Sequence, residues 1–102
     1  MVQNKYRRGR ISEKKVMSIL KEKRWYNLVR SKGSKGPWDI RGRTPSGNKV
    51  YIQVKSYSAK ASKNEIKKLR EYAKKHGGAA ILAHYLGKGR LRLKFLGNWN
   101  KR

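Results

Sequence analysis

Asp39 is one of only five acids in a chain with 29 Lys and Arg, and it sits between Trp38 and Ile40 in "PWDI". A Gln-x-Lys pair, Gln53 and Lys55, follows in "YIQVKS". A carboxylate among apolar neighbours is costly unless it is paired with a cation or bound to a metal. Arg41 and Arg43 are close in sequence, so an ion pair is one reading of Asp39 and a metal ligand the other. Val50, Ile52 and Val54 alternate with Tyr51, Gln53 and Lys55. Gln53 and Lys55 therefore leave the same face of a strand, opposite the apolar one. An amide oxygen is a neutral ligand for a hard cation such as Mg²⁺. A Lys beside the metal can hold an attacking water or neutralise charge developing on a phosphate. Taken alone, the pair also reads as a solvated strand face. Glu13 precedes Val16, Met17 and Leu20 by three, four and seven residues, so it heads the apolar face of a helix. An acid in the first turn would equally complement the helix dipole.

The elements that must position these side chains follow from hydrophobic period and punctuation. Val16, Met17, Ile19 and Leu20 predict a helix from Ser12 to about Lys23. "YNLVRS" (26–31) reads as a short strand, and "SKGSKGP" (31–37) as a loop ending in a Pro that cannot donate to a ladder. "WDIRG" begins a strand, "TPSGN" (44–48) is turn chemistry, and "KVYIQVKS" (49–56) is the alternating strand. Ser62 and Glu65 form an S-x-x-E capping box for a second helix that "HGG" (76–78) stops. Along it Ile66, Leu69, Ala73 and His76 share one face. "AAILAHYL" (79–86) and "RLRLKFL" (90–96) give two further strands around "GKG". The order α-β-β-β-α-β-β predicts an α/β fold, a mixed sheet with helices packed on it. Residues 1–10 read as a basic N-terminal arm and 97–102 as a short tail of one domain spanning 1–102.

Composition narrows the partners. The net charge of +24 repels itself in a compact fold, so a polyanion is expected. Nucleic acid leads, because Lys and Arg displace counterions condensed on phosphates. No segment approaches the ~18 apolar residues a membrane span needs, so no membrane partner is expected. "MVQNKYRRGR" has no apolar core of a secretory signal. The absence of Cys rules out disulfides and thiolate metal sites and fits a reducing, cytoplasmic interior.

Together, a helix-borne Glu, a strand Asp and Q-x-K on the next hairpin strand resemble the PD-(D/E)xK nuclease superfamily. Within it the chain is most similar to the archaeal Holliday-junction resolvases. "RRGRISEKKVMSIL" (7–20) looks like their opening basic-Gly-x-x-x-Glu helix, and "NLVRSKGSKGPWDI" (27–40) like their V-R-S-x-x-S loop running into the Asp strand. "YIQVKS" (51–56) looks like their E-x-K strand. "NEIKKLREYAKKHGGAAILAHYL" (64–86) resembles the helix, Gly-Gly stop and strand that follow. The resemblance implies a restriction-endonuclease-like fold and an Mg²⁺-dependent endonuclease, with Mn²⁺ as a substitute. It implies Glu13, Asp39 and Gln53 as metal ligands and Lys55 as the residue assisting the attacking water. It also implies a homodimer acting on four-way DNA junctions in recombination and repair, within an archaeal or virus-infected archaeal cell, and no small-molecule cofactor. Ser31 or Ser34 would be a loop hydroxyl near the scissile phosphate. Gln53 departs from the pattern, since the resolvases usually carry Glu there, although Mrr-type nucleases look similar with Gln. The amide removes one negative charge, so weaker metal binding is expected.

Basic residues are spread over the arm (Lys5, Arg7, Arg8, Arg10), the loop (Arg30, Lys32, Lys35) and the segment after the site (Lys60, Lys63). That distribution suits backbone tracking of DNA shape better than base readout. Tyr51 and Tyr57 are assigned to the Gln53–Lys55 face, where either would touch DNA or simply pack. His76 and His84 read as structural, lacking a partner at metal-ligand spacing. Phe95, Leu96 and Trp99 would either form a self-association patch or close the core. Two alternatives to the resolvase reading remain. One is a non-catalytic basic protein that binds DNA or structured RNA. The other is a restriction-like or single-strand-directed nuclease using the same site.

Overall fold

Seven elements succeed one another in the expected order: α1 (Lys5–Glu22), β1 (Tyr26–Arg30), β2 (Ile40–Arg43), β3 (Lys49–Ser56), α2 (Lys63–His76), β4 (Ala79–Gly87) and β5 (Arg90–Asn98). The computed structural model describes residues 5–31, 36–57 and 59–101, with 5–11 as helical backbone. The strands form one sheet in sequential order β1-β2-β3-β4-β5. All neighbours are antiparallel except β3 and β4, which run parallel with Val50 opposite Ala79 and Ser56 opposite Tyr85. A parallel pair needs a crossover, and α2 is that crossover.

The period-2 pattern of β3 divides the interior in two. Val50 and Ile52 join Val16 and Leu20 of α1, Ile40, Ile81, Ala83 and Tyr85 in one cluster. Tyr51 joins Leu69 and Ala73 of α2 and Ala80 in a second, with Trp38, Tyr72, Leu96 and Trp99 packed against it. The two helices therefore cover opposite sheet faces. Leu20, fully buried, contributes about 1.5–3 kcal/mol of the apolar burial that docks α1.

Two expected boundaries are corrected. Residues 5–10 are the opening turns of α1 rather than an arm. Lys and Arg are good helix formers, and extending an existing helix avoids the cost of nucleation, so Gly9 does not stop it. Residues 97–100 are not a free tail either. β5 continues to Asn98, the Trp99 N–H donates to the Gly78 carbonyl (2.9 Å), and the Asn100 carboxamide exchanges two bonds with the Lys49 backbone (2.8 and 3.0 Å). The apolar group at the end divides accordingly: Leu96 and Trp99 close the α2-side core, while Phe95 is 60% exposed.

The helix that borders the site is bounded as its sequence predicts. Ser62 accepts from the Glu65 N–H, and the Glu65 carboxylate accepts from the Ser62 N–H (3.0 Å). Gly77 ends α2 with φ of 66°, a left-handed conformation that costs other residues roughly 1 kcal/mol.

Candidate active site

Asp39 stands one residue before β2, in line with its strand. Its N–H donates to the Ile52 carbonyl (2.7 Å), and its Oδ2 accepts from the Val54 N–H (2.7 Å). Backbone and carboxylate thus bracket Gln53 on β3. The Asp39 carbonyl in turn accepts from the Ser31 N–H (2.8 Å), tying the end of β1 to the same point. Because Ile40 turns into the α1-side cluster, Asp39 turns toward α2. Burial pushes its carboxyl above the ordinary carboxylate range, opposed by the Val54 hydrogen bond and Lys55 and reinforced by the negative charge of Glu65.

The ion pair anticipated with Arg41 or Arg43 is not what satisfies this carboxylate. Arg43 Nη1 donates to the Gly47 carbonyl (2.7 Å), and the Arg41 guanidinium lies over the Trp38 ring. The cation whose charge favours the ionised Asp39 carboxylate is Lys55. Gln53 and Lys55 leave β3 together on the α2 side, where both meet Glu65. Lys55 Nζ is 2.8 Å from Glu65 Oε2, and Gln53 Nε2 donates to the same oxygen at 3.4 Å. These bonds hold the Glu65 carboxyl below its usual range, first through Lys55 and then through the Ser62 N–H.

Glu65 was legible only as a helix cap. A capping box explains a Glu at this position completely, so nothing in the local spacing marks it for a second role. Its partners become visible only when the crossover lays α2 across the end of β3.

Glu13 is half-buried on α1, directly after buried Ser12. α1 lies on the other sheet face, but its middle, at Lys15, reaches the end where the site lies. Lys15 stands over the Tyr85 ring at 5.7 Å, and Tyr85 pairs in register with Ser56. Among the described residues, no three His, Cys, Asp or Glu side chains gather in a metal-holding group. Glu13, Asp39 and Glu65 therefore do not converge on one point, and the third oxygen donor beside Asp39 and Glu65 is the Gln53 amide.

Of the two tyrosines assigned to this face, Tyr51 keeps it and packs, while Tyr57 leaves it. Tyr51 is buried, with Trp38, Tyr72 and His76 around its ring, so it is core and not a DNA contact. Tyr57 leaves the strand with φ of 54° and sets its ring edge-on to Tyr85, on the α1 side, with half its surface exposed. His84 Nε2 is hydrogen-bonded to the Tyr57 carbonyl, which braces that turn. Ser31 is half-buried beside Asp39, and Lys60 is exposed before α2. Arg30 borders a hollow of about 300 Å³ with Lys14, Met17, Ser18 and Lys21. Its buried Nη1 meets no acceptor among the described residues. Lys32, Ser34 and Lys35, and the side chains of Arg7, Arg8 and Arg10, lie outside the described residues. Among those described, no helix is long and apolar enough to cross a membrane.

The sequence matches the archaeal Holliday junction resolvase family over residues 4–98. Among solved structures, the fold is similar to that of a Holliday junction resolvase from the hyperthermophile Archaeoglobus fulgidus. The TM-score is 0.73 at 21% identity, covering 87% of this chain and 73% of that one. No curated protein matches in sequence.

Proposed function

Because the chain belongs to the archaeal Holliday junction resolvase family, we propose that it cuts four-way DNA junctions by Mg²⁺-dependent hydrolysis at Asp39, Gln53 and Lys55. The observation that carries this reading is their placement: the desolvated Asp39 carboxylate is bonded to the Val54 N–H, between Gln53 and Lys55, and feels the Lys55 charge where β2 begins and β3 ends. A purely cationic DNA binder gains nothing from holding a carboxylate charged against burial there.

The donor set fits a hard divalent cation, which prefers carboxylate and amide oxygens. Asp39 and Gln53 would hold it directly, and Glu13, which does not converge with Asp39 and Glu65, would reach it only through bridging water. When bound, such a cation polarises phosphoryl oxygens and acidifies water at neutral pH. Asp39 is fixed for the task by its bond to the Val54 N–H. Lys55, with three donors and no acceptor, orients the attacking water and offsets negative charge growing on the phosphate. Ser31, beside Asp39, offers its hydroxyl to the scissile phosphate.

DNA is held through its backbone. Arg7, Arg8, Arg10, Lys32, Ser34, Lys35 and Lys60 flank the site in sequence, and Tyr57 offers an exposed ring edge. The hollow at Arg30, rimmed by Lys14 and Lys21, suits a phosphate. Each phosphate neutralised contributes about −0.9 to the slope of log K against log salt. A homodimer brings one site to each of two opposed strands, and exposed Phe95 is available to that contact.

The test is incubation with a labelled four-way junction, a linear duplex and single-stranded DNA, each with Mg²⁺ or EDTA. Junction-selective nicking that needs Mg²⁺, and that Asp39→Ala abolishes while junction binding persists, is expected. Binding without nicking in both Mg²⁺ and Mn²⁺ would identify a non-catalytic binder instead.

A further inference from the structure

We propose that Glu65 is a ligand of the catalytic cation: from the first turn of α2 it contributes the carboxylate that position 53 lacks. This rests on reading Asp39, Gln53 and Lys55 as the reaction site, and it adds a residue to that site.

Two oxygens of one carboxylate carry separate duties here. Oε1 accepts from the Ser62 N–H at 3.0 Å, completing the capping box, and so the carboxylate is fixed in direction. Capping accounts for that oxygen alone. Oε2 turns to the sheet, 2.8 Å from Lys55 Nζ and 3.4 Å from Gln53 Nε2. A helix cap has no need of either contact. The amide nitrogen of Gln53 is engaged by Glu65, which leaves the amide oxygen as the end turned elsewhere, free to face a cation.

Charge supports the same assignment. Without Glu65, Asp39 and Lys55 cancel, and a neutral amide does nothing to attract a divalent ion into a chain of net charge +24. With Glu65 the four side chains sum to −1. The Glu65 carboxylate bears on Asp39 electrostatically as well, so it acts within the site and not merely beside it. Glu22 and Glu71 are exposed on the helices, whereas Glu65 touches both Gln53 and Lys55.

The capping box makes the test clean. Gln at the same helical position accepts from the cap N–H as Glu does, so Glu65→Gln removes the charge and keeps the cap. Mn²⁺ binding to the DNA-free protein is read from the electron paramagnetic resonance of the unbound ion, alongside thermal unfolding. Glu65→Gln is expected to weaken Mn²⁺ by at least about tenfold, equivalent to about 1.4 kcal/mol. The exchange variant Gln53→Glu/Glu65→Gln, which returns the carboxylate to the strand, is expected to recover affinity to within about threefold of the parent. Ser62→Ala, which loosens the cap and keeps the carboxylate, controls for helix fraying and is expected to retain Mn²⁺ binding. The proposal is overturned by Glu65→Gln binding Mn²⁺ like the parent while Asp39→Asn loses it: Glu65 is then only a cap, and the reading of the site stands. An exchange variant that folds but recovers no affinity overturns the equivalence of the two positions. Should Asp39→Asn retain full Mn²⁺ affinity, the site reading beneath the proposal is what fails.

Discussion

Replacing Asp39 by Asn and by Ala separates what its carboxylate does for the fold from what it does for chemistry. Burial raises the carboxyl pKa in the folded chain, so the folded state holds that proton more tightly than the unfolded state does. By linkage, the ionised group then opposes folding at neutral pH, and stability from this residue falls as pH rises from 3.8 through the folded value. Asp39→Asn keeps an oxygen for the Val54 N–H, now bonded at 2.7 Å, and removes the desolvated charge. Asp39→Ala removes both. A buried donor left without its acceptor costs about 1–3 kcal/mol, and half-burial of Val54 places this one near the lower end. In a domain of this size about 1 kcal/mol moves Tm by roughly 4–8 °C. Thermal unfolding at pH 7 in EDTA, followed by circular dichroism, should therefore show Asp39→Asn melting at or above the parent. Asp39→Ala should melt roughly 4–8 °C below Asp39→Asn. Neither should nick a junction. If Asp39→Asn is destabilised as much as Asp39→Ala, the charge itself holds the fold together, and a structural ion pair replaces the catalytic reading.

Two further outcomes follow from the packing and from the cap. A Cβ at Gly78 would lie 2.6 Å from Tyr51 Cε2 and 3.3 Å from the Lys49 carbonyl. Tyr51 has little room to retreat, with Tyr72, His76 and Trp38 around its ring. Gly78→Ala should cost about 1–3 kcal/mol, read as a lower urea midpoint at unchanged slope, and an unchanged midpoint would mean that Tyr51 moves aside freely. Glu65, held below its ordinary value of 4.5 by Lys55 and the Ser62 N–H, contributes stability above that pH and loses it as acid protonates the folded carboxyl. The pair is partly exposed (21% and 38%), so its worth stays under about 1 kcal/mol. In EDTA, the Tm difference between the parent and Glu65→Gln should shrink as pH falls below 4.5, whereas a gap constant down to about pH 3 would show that no favourable pairing of Glu65 exists.

What the linear chain determined on its own were the features that depend on neighbours a few residues apart. The alternation of Val50, Ile52 and Val54 with Tyr51, Gln53 and Lys55 assigned the two sheet faces, because strand side chains alternate whatever they pack against. Ser62, Glu65 and Gly77 marked the ends of α2, because capping is local hydrogen bonding. Only tertiary structure decided the rest. Tyr51 shares a face with Gln53 and Lys55 but is sealed by α2 and Trp38, and no period distinguishes a covered position from an open one. Tyr57 left its assigned face because one left-handed residue ends the alternation. Asp39 found Val54 and Lys55, not the arginines nearest in sequence, because β2 and β3 pair antiparallel and bring a distant strand closer than the next turn. Glu65 reached Gln53 and Lys55 for the same reason: the crossover returns α2 over β3, and proximity made by topology has no signature in spacing.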